Sequence, residues 1–378
     1  MKKIYLDNAA TTAMHPDVIK VMHTSMQDNF GNPSSTHQFG RKAKASVETA
    51  RKNIAKHFNV TASEIIFTAG GTEADNLILH NAVANLGVQT IITSRLEHHA
   101  VLHTIESLKI TYNINVVYVK IDAFGSVDLD DLELILSNIK NKTLVSLMFV
   151  NNEIGNILPL DEVSFLCKKH NALFHSDTVQ GIGFYKIDLQ KAPIDFIAAS
   201  AHKFHGPKGV GFAYFKKGFG IQPILHGGNQ EKGARSSTEN VHAIIGMEKA
   251  LEIAGNNMSN TVNDVTLLKK YFIDALKINF SDIIFNGLSE NLEKSSYKIV
   301  NARFSKQNNM LLFGLDLAGI AVSGGSACQS GSNKGSHVLS AFLEDDELNK
   351  ASVRFSFSKN TTVEELDTTI YKLKELLG

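Results

Sequence analysis

Across 378 residues the chain carries only two cysteines, Cys167 and Cys328, which excludes a disulfide framework and a cysteine-rich metal site. Neither sign of charge is in excess, with 38 Lys and Arg against 38 Asp and Glu. A basic footprint for nucleic acid or for an anionic membrane surface is therefore missing. No apolar run approaches the roughly 18 residues of a membrane span. The start, Met1-Lys2-Lys3-Ile4-Tyr5-Leu6-Asp7, reaches a charge too soon for a secretory leader. These absences lead to the expectation of a cytoplasmic protein with reduced thiols. Neither G-x-G-x-x-G nor G-x-x-x-x-G-K-[ST] occurs, against dinucleotide-binding and P-loop chemistry, and H-E-x-x-H is missing as well. The pair His202/His205 lacks the partners of a zinc site. There is no internal repeat and no low-complexity tract.

What remains is an ordinary globular composition, 43% hydrophobic and 20% charged, long enough for about two or three domains. Phe39, Ala43, Val47, Ala50, Ile54 and Phe58 recur at helical spacing. Short β-rich runs follow at 64–68, 90–93, 116–119 and 144–149, separated by helical stretches, which predicts a mainly parallel sheet covered on both faces. Asn256, Asn257, Ser259 and Asn260 read either as a polar break before an α+β unit or as part of a helix that runs straight through. A last helix is signalled by Thr362 and Glu365 as a capping box, with Leu366, Ile370, Leu373 and Leu377 on one face.

Two segments lie just beyond strand-like runs: His175-Ser176-Asp177-Thr178-Val179-Gln180 after Ala172–His175, and Ser200-Ala201-His202-Lys203 after Ile194–Ala199. In open α/β sheets ligands bind at such carboxyl ends. Asp177 and Lys203 suit pyridoxal 5'-phosphate (PLP), which needs an amine to bond its aldehyde and a carboxylate to keep its ring nitrogen protonated. Taken singly, either is also an ordinary loop residue. Gly70-Gly71-Thr72, between a strand and a helix, is either a phosphate cradle at a helix N-terminus or a turn with its cap. Gly206–Gly211 closes the backbone after Lys203. His98 and His99 are either a ring-stacking, proton-moving pair or exposed loop histidines. Cys328 lies in the Gly/Ser-rich stretch 322–332, which reads as a mobile, accessible loop where a thiolate nucleophile can act. Cys167, in a helical run, reads as core. Arg354 interrupts an apolar strand and is either a carboxylate fork or a structural ion pair.

Together these segments resemble the cysteine desulfurases of the NifS/IscS kind, within the fold-type I aminotransferase-like PLP enzymes. The resemblance runs from Tyr5-Leu6-Asp7-Asn8-Ala9-Ala10-Thr11-Thr12 through Phe30-Gly31-Asn32-Pro33-Ser34-Ser35, Val150-Asn151-Asn152-Glu153-Ile154-Gly155 and Arg235-Ser236-Ser237-Thr238 to the final helix. The form Ser326-Ala327-Cys328, with His202–Gly209, is similar to group I of that family rather than group II.

The resemblance implies an α/β fold. A large PLP-binding domain, 13–255, would surround a mainly parallel seven-stranded sheet. A smaller α+β domain, 256–378, would carry Cys328 and Arg354 and be joined by segment 1–12. Lys203 would bond PLP, Asp177 would pair with its ring nitrogen, Gln180 and Asn152 would bond its hydroxyl, and His98 would stack on it. Gly71, Thr72, Ser200 and His202 would hold the phosphate, with Thr238 reaching across a homodimer. Arg354 and Asn152 would take the substrate carboxylate.

The implied reaction converts L-cysteine to L-alanine, with sulfur passing to Cys328 as a persulfide. That sulfur would go to Fe–S cluster assembly on a scaffold protein or to other acceptors. No intrinsic metal is implied, although the persulfide on Cys328 could transiently ligate a nascent cluster. Nucleic acid and membrane are not among the expected partners. Selenocysteine lyase, an aminotransferase and a catalytically idle assembly partner are the rival readings. Four positions depart from the family pattern: Ala201 and Ser237 stand where glycine is common, Gly324 where serine is, and His99 where lysine is frequent.

Overall fold

The computed structural model describes residues 3–308, 310–324 and 335–378. Cys328 and the rest of 325–334 lie outside the described residues, so the reading of that stretch as a mobile loop is not addressed by it. The chain opens with β1 (Ile4–Tyr5), α1 (Pro16–Asp28) and α2 (Gln38–His57). Helix α2 buries Ala43, Val47, Ala50 and Ile54 as their spacing predicts. Phe39, expected on the same face, is exposed and packs on Phe30 with ring centroids 5.1 Å apart.

There follow β2 (Ile65–Thr68), α3 (Gly71–His80), β3 (Thr90–Thr93), α4 (His99–Tyr112), β4 (Asn115–Tyr118), α5 (Leu129–Asn138), β5 (Thr143–Ser146), α6 (Leu160–Lys169), β6 (Leu173–Asp177), β7 (Phe196–Ser200) and β8 (Gly211–Phe215). Strands β2 to β8 form one seven-stranded sheet in the order β2-β8-β7-β6-β5-β3-β4. Only β8 runs against its neighbours. Alternate residues feed two cores on opposite faces: Ile65 and Phe67 enter one, Ile66 the other. Burial on both faces is why these strands read as continuous apolar runs rather than as alternating ones. Cys167 is buried in the first core, as expected.

Helix α7 (Val241–Asn279) is a single helix of 39 residues. The expected polar break at 256–260 is thus no loop. Asn256, Asn257, Ser259 and Asn260 are exposed on this helix, where polar side chains cost little and no helix-ending residue intervenes. Beyond it come β9 (Ile284–Phe285), β10 (Ile299–Arg303), α8 (Leu311–Leu317), β11 (Ile320–Ala321), α9 (Asp345–Leu348), β12 (Ser352–Ser356) and α10 (Val363–Leu377). A second sheet has the order β12-β10-β9, and β1 pairs with β11. The N-terminal segment therefore packs with the last third of the chain. The Thr362/Glu365 capping box opens α10 as predicted. Among the described residues no helix is long and apolar enough to cross a membrane.

Candidate active site

The order of the large sheet reverses direction between β3 and β5, and side chains gather beyond the carboxyl ends of the strands on either side of that switch point. Asp177 ends β6, Ser200 ends β7, and Lys203 closes the short turn that follows. His98 caps α4 just past β3, and Gly71 and Thr72 open α3 after β2. A cavity of about 190 Å³ is lined by Gly71, Thr72, His98, Asn152, Asp177, Gln180, Ser200, His202, Lys203 and Arg354. Every predicted cofactor and substrate residue is in that set except Thr238, which is exposed and does not line it. Cys328 lies outside the described residues.

Hydrogen bonds preset several of these groups. Lys203 Nζ donates to the carbonyls of Ala9 and Ala10 at 2.8 and 2.9 Å. Gln180 Nε2 donates to the same Ala9 carbonyl, and Thr12 Oγ1 to that of His202. Asp177 Oδ1 accepts from Val179 N at 2.9 Å. Burial pushes the Asp177 carboxyl up to about 6, against the pull of that N–H and of Lys203. The His98 ring is pushed down to about 4 by burial, then by Lys203 and two neighbouring imidazoles. It is therefore neutral near pH 7. Its Nδ1 accepts from Ala100 N, which leaves the ring proton to Nε2.

The residues fit PLP on their own chemistry. Asn152 Oδ1 and Gln180 Oε1 are buried acceptors with no hydrogen-bond partner among the described residues, and a ring hydroxyl would supply a donor to one of them. At Gly71 a Cβ would come 2.5 Å from Val179 Cγ2, so only glycine lets the start of α3 sit this close to the cavity floor. The N–H groups of that helix start, beside Ser200, favour a phosphate. Arg235 pairs with Glu73 at 2.8 Å and so ties the Arg235–Thr238 segment to the first turn of α3.

Sequence reasoning gave no role to four residues at the site. Ala9 and Ala10 line the cavity and present their carbonyls to Lys203. Asp75, also lining it, stands 3.3 Å from the buried His175 ring. Its carboxyl is pushed well up by burial and then by Asp177 and Glu97. An aspartate one turn after Gly71, amid buried Ala74, Leu77 and Ile78, was the available signal. Asp7 pairs with Arg354 Nη2 at 2.7 Å. Arg354 thus lines the cavity and is also a member of an ion pair, the second of the two readings its sequence left open.

A model of the aminotransferase class-V family matches residues 4–369. The chain is 41% identical to the cysteine desulfurase IscS of Dictyoglomus turgidum, over 100% of this chain and 95% of that protein. It is 39% identical to a protein of the same name from Clostridium botulinum strain Hall, over 100% and 94%. A solved NifS-like protein superposes with a TM-score of 0.90 at 36% identity, covering 100% of this chain and 99% of that one.

Proposed function

Because this chain belongs to the aminotransferase class-V family and matches cysteine desulfurases along its whole length, we propose how its own residues divide the work on L-cysteine. The protein is a PLP-dependent cysteine desulfurase. When bound, PLP supplies an aldehyde for amines and a ring that withdraws electrons from the substrate α-carbon. Lys203, its amine already placed by Ala9 and Ala10, holds the cofactor and, once the substrate amine displaces it, moves the α-proton. Asp177 is the anionic partner of the ring nitrogen. Burial holds its carboxyl up near 6 against the Val179 N–H and Lys203, and a further cation beside it favours the ionised form at neutral pH. Neutral His98 would stack on the ring. Gln180 and Asn152 would bond the ring hydroxyl, and Gly71, Thr72, Ser200 and His202 would hold the phosphate.

Arg354 and Asn152 bind the substrate carboxylate. Cys328, as thiolate, attacks the substrate sulfur; the S–S bond forms as the substrate C–S bond breaks. L-Cysteine and the Cys328 thiol become L-alanine and a Cys328 persulfide, with no outside oxidant. Thr238, exposed and tied through Arg235 to α3, completes the phosphate site of a second subunit, so the working form is a homodimer. Fe–S cluster assembly is the proposed destination of the sulfur and the cytoplasm the proposed setting. Residues 13–255 and 256–378, with segment 1–12 joining the latter, are the proposed domains.

The observation that carries this reading is the gathering of Lys203, Asp177 and Arg354 from three separate strand regions into one cavity. Incubation of the holoenzyme with L-cysteine and a thiol reductant should release alanine and sulfide in equal amounts. Absence of alanine would overturn the reading, and a monomeric mass by ultracentrifugation would overturn the role of Thr238.

A further inference from the structure

Arg354 reaches the cavity already paired. Its Nη2 donates to Asp7 Oδ1 at 2.7 Å and its Nη1 to the Asn152 carbonyl at 2.8 Å. Its buried Nε has no hydrogen-bond partner among the described residues. The guanidinium cannot swing aside to meet a ligand elsewhere. Arg354 lies in β12 with Asn301 of β10 on one side and Ser323 bridged on the other, and its side chain is 1% exposed. Asp7 is equally fixed, since its carbonyl accepts from Tyr5 Oη at 3.1 Å and from Ala10 N at 3.0 Å. Its side chain is 15% exposed, at the open edge of the pair.

One guanidinium therefore faces two carboxylates when an amino acid arrives. The second hydrogen of Nη2 is left for the incoming group, yet that group then shares Nη2 with Asp7. The cation is neutralised once by Asp7, and the second anion meets like charge at close range in a medium that screens poorly. We propose that Asp7 determines substrate affinity at this site: its carboxylate competes with the carboxylate of the amino-acid substrate for Arg354 and so weakens the hold on substrate and product alike. Asp7 also spares Arg354 from standing as an uncompensated buried cation between turnovers. The inference rests on the reading of Arg354 as the carboxylate site.

The test uses the holoenzyme and two ligands that differ in one group: L-alanine, and ethylamine, which lacks the carboxylate. Calorimetry gives their dissociation constants, and kinetics gives KM and kcat for L-cysteine. Asp7→Asn keeps an oxygen for Nη2 and removes the charge. It should tighten L-alanine about tenfold while leaving ethylamine unaffected, and KM should fall in parallel. Asp7→Glu, which keeps the charge, should retain the wild-type preference between the two ligands. Asp7→Ser repeats the measurement if the amide variant does not fold. Arg354→Gln should abolish the preference for L-alanine over ethylamine.

Should Arg354→Gln abolish that preference while Asp7→Asn leaves L-alanine binding unchanged or weaker, the competition is disproved and Arg354 keeps its role. Should Arg354→Gln leave the preference intact, Arg354 is not the carboxylate site and the inference falls with it.

Discussion

Lys203 Nζ donates to the carbonyl oxygen of Ala9 at 2.8 Å, across 194 positions of sequence. A second bond, to Ala10, makes the N-terminal segment a cradle for the amine. The same segment pairs with β11 and carries the aspartate that meets Arg354. One stretch of backbone thus positions Lys203 and Arg354 together.

Replacing that lysine should separate chemistry from folding. In Lys203→Ala the visible absorbance of covalently held cofactor and the turnover of L-cysteine should both be lost. The Ala10 carbonyl, left without this donor while Ala9 keeps that of Gln180, should cost about 1–3 kcal/mol of stability. Spectroscopy and thermal melting read the two effects independently. Retained turnover would move the cofactor bond to another residue.

The two cysteines should behave in opposite ways. Cys167 is buried and burial raises its thiol far above the usual range, so it supplies no thiolate near neutral pH. Cys328, in a stretch rich in glycine and serine, should be the one to accept sulfur. Brief exposure to L-cysteine followed by mass spectrometry should show one added sulfur on Cys328 and none on Cys167. Cys328→Ser should bind L-cysteine with the first spectral change intact and make almost no alanine. Full-rate alanine production by that variant would exclude the persulfide route.

A buried lysine outside the proposed chemistry should be a stability liability. Lys298 Nζ lies 3.2 Å from the centroid of the Phe184 ring and has no hydrogen-bond partner among the described residues. Burial, then Lys203 and Arg354, lowers its amine well below the usual range. The unfolded chain therefore binds one more proton than the native state from that lowered value up to about pH 10.4, and native stability rises with pH across that window. Lys298→Met should stabilise the protein by about 1–3 kcal/mol at pH 7, with the gain shrinking as pH approaches about 10.4. Denaturant titrations at several pH values check this; a destabilised variant at pH 7 would show that the amine has a partner of real value.

Ser237 holds a backbone that suits glycine, with φ of 97°. This is the position where the family pattern favours glycine, one residue before Thr238. Ser237→Gly should relieve strain and raise stability by about 0.5–1 kcal/mol after the entropy lost by glycine is counted. A melting temperature that stays level or falls would show that the neighbouring backbone already absorbs the strain.

Much was legible from local pattern. The strands at 65–68 and 90–93, the capping box before α10, the buried Cys167, and Asp177 and Lys203 at strand ends all depend on neighbours within a few residues, so periodicity and turn chemistry report them. The same local logic left 256–260 open between a break and a continuous helix, because exposed polar residues suit either when their burial is unknown, and the structure has the helix. It also placed Phe39 inside, since spacing says which face a residue shares but not where that face ends.

The sequence by itself determined the element types, their order, and the chemical identity of the groups that do the work. Only the tertiary structure decided which of those groups meet. Asp7 and Arg354, 347 positions apart, share an ion pair, and Asp75 stands beside His175. No periodicity spans such distances. These contacts arise from the order in which the strands assemble and from the N-terminal segment folding back onto the last third of the chain, and both are set by burial summed over the whole molecule rather than by any local run of residues.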